Sequence, residues 1–481
     1  MAELTLRGVI LGALITLVFT AANVYLGLKI GLTFATSIPA AVISMAVLRL
    51  FSTGTILENN IVQTIASAAG TLSAIIFVLP GLVIIGWWQG FPYWLSAFTI
   101  ATGGILGVMY SVPLRRALVT GSDLPYPEGV AAAEVLKVGA GSREGLEENK
   151  RGLAAIVASA LSAATFSIVA KTRLIAEEAA TFFKLGAGAT SVSTSFSMAL
   201  IGVGHLVGLS VGVAMFIGLL ISWVGLVPYL TAPVAAGADL STVVGTIFST
   251  KARFIGAGTI GVAAIWTLLK ILGPIISGIR SALAANATRK AGNAGLLDIT
   301  ERDLPIGIVA GTIVAAMLPI ALLLWVFAQG GPIALNPVPV IGLTLAYVLV
   351  AGIVIASVCG YMAGLIGASN SPISGVGILA VLGASLLLAA IYGSGGDEGQ
   401  TQALIAYALF TTAIVFGIAT ISNDNLQDLK TGQLVGATPW KQQLALVLGV
   451  IFGALVIPPV LDLLNSAFGF AGASGAGANA L

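Results

Sequence analysis

The sequence predicts an all-α fold, a polytopic membrane protein built from hydrophobic helices. Of its 481 residues, 58% are hydrophobic and only 8% are charged, whereas ordinary soluble domains carry roughly 25% charged residues. Apolar stretches of about 18 to 25 residues recur between Gly8 and Leu464, and each is long enough to cross the hydrocarbon core as a helix. Helices satisfy their own backbone polar groups in lipid, and the segments lack the alternation of a transmembrane barrel.

The apolar stretches predict about 13 membrane-spanning helices. In chain order they lie near residues 8–28, 34–51, 60–86, 93–113, 152–172, 193–208, 209–230, 254–279, 304–328, 338–362, 373–393, 401–421 and 443–465. The first is expected to be retained, because the apolar run after Arg7 continues past Asn23 without a clear cleavage site. The stretches 122–141 and 173–188 mix charged with apolar residues, so we expect interfacial or re-entrant helices there.

Basic residues predict the orientation, since short cytoplasmic loops collect Lys and Arg. With a cytoplasmic N-terminus, most of them fall on the cytoplasmic side, from Arg7 and Arg49 to Lys430 and Lys441. This assignment requires the segment 193–230 to cross twice. A few basic residues then fall outside and count against it: Lys171, Arg173, Lys184, Lys251 and Arg253. The expected location is a plasma or inner membrane, with the N-terminus in the cytoplasm.

Composition and missing motifs disfavour several function classes. A formal net charge of +2 favours no nucleic-acid partner. The single cysteine, Cys359, cannot make an internal disulfide or a CxxC pair. The chain has no HExxH or GxxxxGK[ST] motif, and one His with one Cys leaves few catalytic groups. We therefore expect neither an enzyme nor an ATP-driven pump, with no cofactor and no resident metal.

A faint internal repeat predicts two similar halves. "YLGLKIGLT" (25–33) resembles "YMAGLIGAS" (361–369), and "NNIVQ" (59–63) resembles "NDNLQ" (423–427). We assign the first half to 1–300, with a cytoplasmic-side loop at 114–151, and an incomplete second half to 301–481. Unequal spacings leave chance similarity as the alternative. Repeated halves are common in transporters, with the binding site between them near the bilayer midplane.

The amides in these repeats are the first candidates for a binding site. Residues four apart lie on one helical face, so Asn59 with Gln63, and Asn423 with Gln427, form amide stripes. Amides both donate and accept hydrogen bonds, which suits a ligand with peptide groups. The alternative is that they only join neighbouring helices. The predicted lining or binding residues are Tyr25, Lys29, Asn59, Asn60, Gln63, Ser369, Asn370, Ser371, Asn423, Asn425 and Gln427; for Lys29 the alternative is a side chain that reaches the headgroups.

Ionisable residues within the apolar sequence are candidates for proton coupling. A carboxylate in apolar surroundings can take up a proton, which makes Glu58 and Asp424 candidates; the alternative is a solvated carboxylate at a helix cap. His205, the single histidine, could relay protons, or could simply bond to a neighbouring helix. Asp428 and Lys430 are expected to face the cytoplasm.

Two stretches rich in glycine and hydroxyl residues predict broken helices. "GLIGASNSPISGVGI" (364–378) lies between two apolar runs, and "LKIGLTFATSIPAAV" (28–42) is its counterpart in the first half. Unwound backbone and small hydroxyls can line a cavity within a membrane protein. A plain turn between two spans is the alternative.

These stretches resemble the oligopeptide transporter family, which includes the yellow-stripe-like metal-chelate transporters. The matching sequences are "NVYLGLKIGLTFATSIPAAV", "ENNIVQTIASAAG", "LPYPEGVAAAEVL", "GLIGASNSPISGVGI" and "SNDNLQDLKTGQLVGATPWKQQ". The resemblance implies about 16 helices in two similar halves, so the last helices are expected to be missing from this chain or supplied otherwise. It also implies that the two amide clusters, with Asp424, line or support the transport cavity.

The expected function is secondary active transport, a proton-coupled import of small oligopeptides or peptide-like metal chelates by alternating access. The expected partners are a small peptide or metal chelate, protons and the lipid bilayer, with no nucleic acid; a homo-oligomer is left open. The alternative is a passive channel or pore for small polar solutes. Few charged rings and several Gly/Pro-interrupted segments favour gating over an open pore, and flux without saturation would favour the channel.

Overall fold

The computed structural model describes residues 2–481 except 32, 52–53, 142–146, 148–149, 152–153, 156, 160, 163–164, 167–168, 170–174, 177, 197, 289–297, 330, 370, 372, 394–395, 475 and 478–479. The described chain forms two compact units. One comprises Met1–Lys150 with Ala264–Leu481, and the other comprises Arg151–Ala263. The predicted division into halves at residue 300 is a different division, based on sequence repeats, and stays a prediction.

Helices make up nearly all of the described secondary structure. In chain order they are α1 (Leu6–Ile30), α2 (Ser37–Leu48), α3 (Ile56–Leu72), α4 (Gly81–Ile84), α5 (Tyr93–Arg115), α6 (Pro127–Gly141), α7 (Met198–Leu220), α8 (Val227–Thr231), α9 (Leu240–Ile247), α10 (Arg253–Thr288), α11 (Ile306–Ala328), α12 (Pro337–Ile366), α13 (Ile373–Tyr392), α14 (Glu398–Val435) and α15 (Pro439–Phe468). Short 3₁₀ or π turns extend some of them, at Ser73–Phe77, Arg116–Thr120, Ile221–Leu226, Phe248–Ala252, Ile299–Glu301 and Pro332–Leu335.

Nine helices in the described part of the chain are long and apolar enough to cross a membrane. This confirms the predicted class, a polytopic all-α membrane protein. Hydroxyl and carboxylate caps start several of these helices: the side chains of Thr5, Thr55 and Asp397 accept bonds from the first turns of α1, α3 and α14. Such caps satisfy backbone N–H groups that have no partner within the helix.

Helix α14 forms the centre of the first unit. It packs against α3, α5, α6, α12 and α13, and most of its residues from Ala403 to Gly432 are buried. Small residues allow the close approach of α5, since Gly103 and Gly417 meet backbone to backbone. Close packing of small residues is expected between membrane helices, because lipid provides no hydrophobic driving force for their association.

Two predicted spans have wrong boundaries. The predicted span 34–51 contains only the 12-residue helix α2, which is about 18 Å long and too short to cross alone. Its first part is unwound because Gly31 ends α1 in a left-handed conformation, with φ of 73°. The predicted span 401–421 continues as a helix through the polar run to Val435, because the polar side chains there find partners on neighbouring helices.

The second unit, described by itself, contains a β-hairpin that the sequence did not predict. Strands β1 (Glu178–Leu185) and β2 (Gly188–Ser195) pair antiparallel across a two-residue link, where Gly186 has φ of 62°. The expected helix at 173–188 is therefore wrong. Strand β1 contains Thr and Phe residues, and β2 contains Val192 with several Thr and Ser residues. These residues favour strands once a glycine turn pairs the two segments.

The two spans predicted at 193–208 and 209–230 are also wrong. Helical backbone runs without a break from Met198 through α7, the π turn and α8 to Thr231, so the predicted boundary at 208 falls inside one helix. Trp223, in the π turn of this helix, stacks on Phe248 with ring centroids 4.8 Å apart. The predicted span 152–172 lies largely outside the described residues.

Candidate functional site

A polar cleft opens in the first unit between two unwound segments. It holds about 510 Å³ of space, including its open mouth. Hydroxyls and one amide give it a neutral polar lining, with apolar walls from Phe34, Phe77 and Ile373. The described lining residues are Gly31, Thr33, Phe34, Ala35, Thr71, Ala74, Phe77, Ala368, Ser369, Ser371, Ile373, Ser374 and Asn423.

The two unwound segments follow α1 and α12, where broken helices were predicted. Each begins at a glycine with positive φ, which is 73° at Gly31 and 93° at Gly367. Only glycine adopts such angles without strain. Helix α13 runs back beside α12, where the Tyr347 hydroxyl donates to the carbonyl of Ala380 at 2.6 Å.

Two asparagines hold these segments open. The Asn23 side chain donates to the carbonyl of Phe34 at 2.9 Å and accepts from its N–H at 3.1 Å. Asn423 donates to the carbonyl of Ala368 at 2.9 Å and accepts from the Ser371 hydroxyl. An amide that both donates and accepts can replace the helical bonds that an unwound backbone loses. The predicted lining residues Asn423, Ser369 and Ser371 therefore meet in one place.

A buried carboxylate lies directly behind the cleft wall. Asp424 Oδ2 accepts from the hydroxyls of Ser67 at 2.5 Å and Thr71 at 2.8 Å. Thr71 also lines the cleft, so a single hydroxyl joins the cleft to the carboxylate. Ser67 and Thr71 were missed from the sequence, although they continue at four-residue intervals from Gln63 along one face of α3.

Asp428 was expected to face the cytoplasm, and this is wrong. Asp428 is 0% exposed, and its Oδ1 atom accepts a hydrogen bond from the side-chain nitrogen of Gln63. Because α14 continues to Val435, Asp428 lies one turn beyond Asp424 on the same helical face. The four-residue spacing of the two aspartates was the signal in the sequence.

Most of the other predicted amides join helices rather than line the cleft. Asn59 accepts from the Ser44 hydroxyl at 2.8 Å, and Asn425 donates to the Ser111 hydroxyl at 3.2 Å. Gln427 donates to the carbonyl of Ala363 at 2.6 Å and accepts from the N–H of Gly129 at 2.7 Å. For Asn59, Asn425 and Gln427 the structure favours the helix-joining role. Asn60 is fully buried, and neither atom of its amide has a hydrogen-bond partner among the described residues.

The remaining predicted residues lie elsewhere. Glu58 forms an ion pair with Arg7 at 2.6 Å, so its charge is already compensated. Tyr25 packs near Phe468, with ring centroids 6.4 Å apart, and Lys29 is exposed in the last turn of α1. His205 is exposed on α7, in the second unit. Asn370 lies outside the described residues.

Glu128 is a further acidic residue at the cleft that the sequence did not reveal. Its two carboxylate oxygens accept from the backbone N–H groups of Ala368 at 3.2 Å and Ser369 at 3.0 Å, in the segment that lines the cleft. Burial raises the pKa of the Glu128 carboxyl, although these hydrogen bonds act in the opposite direction. It belongs to "LPYPEG", whose Tyr126 has φ of 46°, an unusual angle for a bulky residue.

Comparison with known proteins decides the family. The family model described as "OPT oligopeptide transporter protein" matches residues 3–481. The chain belongs to the oligopeptide transporter family. The chain is 46% identical over 459 residues to a Haemophilus influenzae protein named "Putative oligopeptide transporter", covering 93% of this chain and 71% of that protein. It is 22% identical over 539 residues to the rice (Oryza sativa subsp. japonica) "Probable metal-nicotianamine transporter YSL14", covering 98% of this chain and 69% of that protein.

Membership of the oligopeptide transporter family confirms the predicted resemblance and several coarse expectations. The chain is a multi-pass membrane protein of a transporter family and not an enzyme. Oligopeptide or metal-chelate transport is the activity that the family and its relatives support.

Proposed function

We propose that this oligopeptide transporter family member imports small oligopeptides or peptide-like metal chelates through the cleft, coupled to protons and by alternating access. The observation that best supports this proposal is Thr71, a residue that lines the cleft and whose hydroxyl donates to Asp424 at 2.8 Å. A solute that takes up the Thr71 hydroxyl would remove a bond from the buried carboxylate. Binding of solute and protonation of Asp424 would then affect each other, as coupled transport requires.

The chemistry of the cleft supports a peptide-like solute. Hydroxyls and the Asn423 amide can donate to carbonyls and accept from N–H groups, while Phe34 and Phe77 offer apolar surface. No charged side chain appears among the described lining residues. The acids behind the wall, Asp424 and Glu128, favour a solute that brings a positive group, such as a free amine or a bound metal ion.

Alternating access would open the cleft in turn to each side of the membrane. The two unwound segments are the elements best suited to move, because few regular backbone bonds hold them and each hinges at a glycine, Gly31 or Gly367. Their similar sequences and shared cleft support the proposed pair of halves.

The N-terminus is proposed to be cytoplasmic. The Thr55 hydroxyl donates to the carbonyl of Ala2 at 2.7 Å, so the start of α1 lies at the same end as the α2–α3 link. Arg7 and Arg49 both lie at this end, and short cytoplasmic segments collect basic residues. A Leu50→Cys variant, at a residue 83% exposed, should react with an impermeant maleimide only after cells are permeabilised. Labelling in intact cells would place this end outside.

Uptake into proteoliposomes tests the transport proposal. A panel of peptides and metal chelates is offered to the reconstituted chain with and without an inward proton gradient. We expect saturable uptake that the gradient drives, with loss of the gradient response in Asp424→Asn. Glu398→Gln, an exposed acid on the same helix, should keep that response. Unchanged proton dependence in Asp424→Asn would exclude this residue from coupling, and flux without saturation would indicate a passive pore.

A further inference from the structure

Two buried carboxylates on α14 have no basic partner in the described part of the chain. Asp424 is 1% exposed and Asp428 is 0% exposed, and no described ion pair reaches either one. Lys430, the basic residue closest to them in sequence, instead contacts Gln433 at 3.2 Å and lies over the ring of Tyr126. Buried carboxylates are unfavourable unless a positive group compensates them.

Each aspartate of this pair has an unpartnered oxygen atom, and so does the neighbouring Gln63. Asp424 Oδ1, Asp428 Oδ2 and Gln63 Oε1 are all buried and have no hydrogen-bond partner among the residues that the structure describes. Gln63 is 0% exposed and its side-chain nitrogen contacts Asp428, so its free oxygen lies beside the same carboxylate. Ser67 adds a hydroxyl, at 2.5 Å from Asp424 Oδ2. A cation bound between these oxygen atoms would give them a partner that the described side chains do not supply.

Charged groups on the neighbouring helices do not neutralise the pair. Glu58 of α3 is paired with Arg7, and Arg115 of α5 is paired with Asp303 at 3.1 Å. Glu128 of α6 is a further acid, which bonds to the backbone of Ala368 and Ser369 and supplies no positive charge. On α15 the neighbouring group is neutral: Gln442 donates to the backbone carbonyl of Asp428 at 2.5 Å. The surrounding described groups thus supply no positive charge to the pair.

We propose that Asp424, Asp428 and Gln63 form a buried binding site between α3 and α14 for a small monovalent cation, either Na⁺ or H⁺. Oxygen atoms alone suit hard cations. The inference deepens the proposed function, since it shares Asp424, but it concerns ion binding in the absence of solute.

Ion-dependent stability tests the site on the full chain in detergent, without solute. Thermal unfolding is followed by tryptophan fluorescence while Na⁺ replaces choline at constant ionic strength, at mildly acidic and mildly basic pH. An ion that binds the folded chain raises the unfolding midpoint by mass action. We expect a rise of a few degrees in the native chain and in Glu398→Gln, and its loss in Asp424→Asn and Asp428→Asn.

Each outcome separates the sources of the cation. A rise with Na⁺ that both asparagine variants lose assigns the site to sodium. A rise on acidification alone, lost in the same variants, assigns it to protons. Stability that responds to neither ion through these residues overturns the site. Intact ion dependence together with absent uptake would overturn the proposed transport function only.

A second measurement needs no variant at these positions. Dicyclohexylcarbodiimide modifies protonated carboxyl groups in apolar surroundings, and mass spectrometry reads the modification on the peptide that contains Asp424 and Asp428. Protection by Na⁺ supports a sodium site, and protection by alkaline pH alone supports protons. An extent of labelling that neither Na⁺ nor pH changes contradicts the proposal.

Discussion

The backbone nitrogen of Ala35 donates to the Ser369 hydroxyl at 3.1 Å, although 334 residues separate them in the chain. Each residue lies a few positions beyond a glycine that ends a long helix, Gly31 or Gly367. The contact joins the two unwound segments into one cleft wall. The contact fits two similar halves that meet at a shared site, and the pair of halves stays a prediction.

Removing the Ser369 hydroxyl should weaken this wall. Ser369→Ala leaves the Ala35 N–H without its acceptor and takes a polar group from the cleft. We expect a loss of about 1 kcal/mol in the free energy of unfolding and a several-fold higher KM for uptake, with a smaller change in the maximal rate. Ser249→Ala, at an exposed residue, serves as the control. An unchanged KM would show that the solute does not use this side of the cleft.

Glu128 should make stability depend on pH with a defined sign. Its pKa is raised in the folded chain, chiefly by burial, so the folded state holds this proton more tightly than the unfolded chain does. Its contribution to stability is complete below the unfolded value of about 4.3 and is lost as pH rises through the folded pKa. The melting temperature of the native chain, relative to that of Glu128→Gln, should therefore fall as pH rises.

The control for Glu128 lies on the same helix. Glu134 is exposed and pairs with Lys137 at 3.0 Å, and the Glu134→Gln difference should stay nearly constant over the same pH range. A native chain that gains stability over Glu128→Gln as pH rises would mean that the ionised carboxylate, with its bonds to Ala368 and Ser369, is the favoured form.

Sequence patterns predicted the unwound segments because the needed signals are local. A glycine followed within a few residues by several hydroxyls identifies backbone that can leave the helix, as at Gly31 and Gly367. The amide Asn423 was found by the same local reasoning, from its spacing to Gln427. The second unit was predicted poorly because hydropathy does not distinguish one long apolar helix from two shorter spans.

Partners that are distant in sequence explain what was missed. Glu128 bonds to backbone N–H groups 240 and 241 residues away, and a backbone partner leaves no mark on residue type. The polar end of α14 resembled a loop because its partners lie on other helices, as Gln63 does for Asp428. Hydropathy measures the polarity of a segment and not whether its polar groups are paired.

A buried ionic cluster should be among the most sensitive sites for folding. Asp303 contacts Arg115 at 3.1 Å, Arg116 at 3.0 Å and the Gln443 amide at 2.8 Å, and so joins α5, the start of α11 and α15. Asp303→Asn leaves the guanidinium of Arg115, which is 0% exposed, without its main counter-charge. We expect a loss of about 3 kcal/mol in the free energy of unfolding, measured by denaturation in detergent.

Glu301 provides the matched control for this cluster. It lies 3.6 Å from the same Arg115, but its side chain is 29% exposed. Water therefore screens the pair, and Glu301→Gln should cost less than about 1 kcal/mol. Equal losses in the two variants would mean that net charge near Arg115 matters and the buried contacts of Asp303 do not.

Close approach of α5 to α14 should make Gly103 intolerant of a side chain. A Cβ atom at this position would lie 2.5 Å from the carbonyl oxygen of Ile414, which is backbone and cannot turn aside. Gly103→Ala should cost about 1 to 3 kcal/mol of stability through overpacking. The same change at Gly311 of α11, where no described atom lies within 4 Å of the added Cβ, should be neutral or stabilise by up to about 1 kcal/mol, because alanine favours a helix more than glycine does. Melting temperatures of the two variants, measured side by side in detergent, check this difference. Similar values would mean that α5 moves away from α14 at little cost. The carboxylates on α14 would then lack the rigid surroundings that a buried cation site requires.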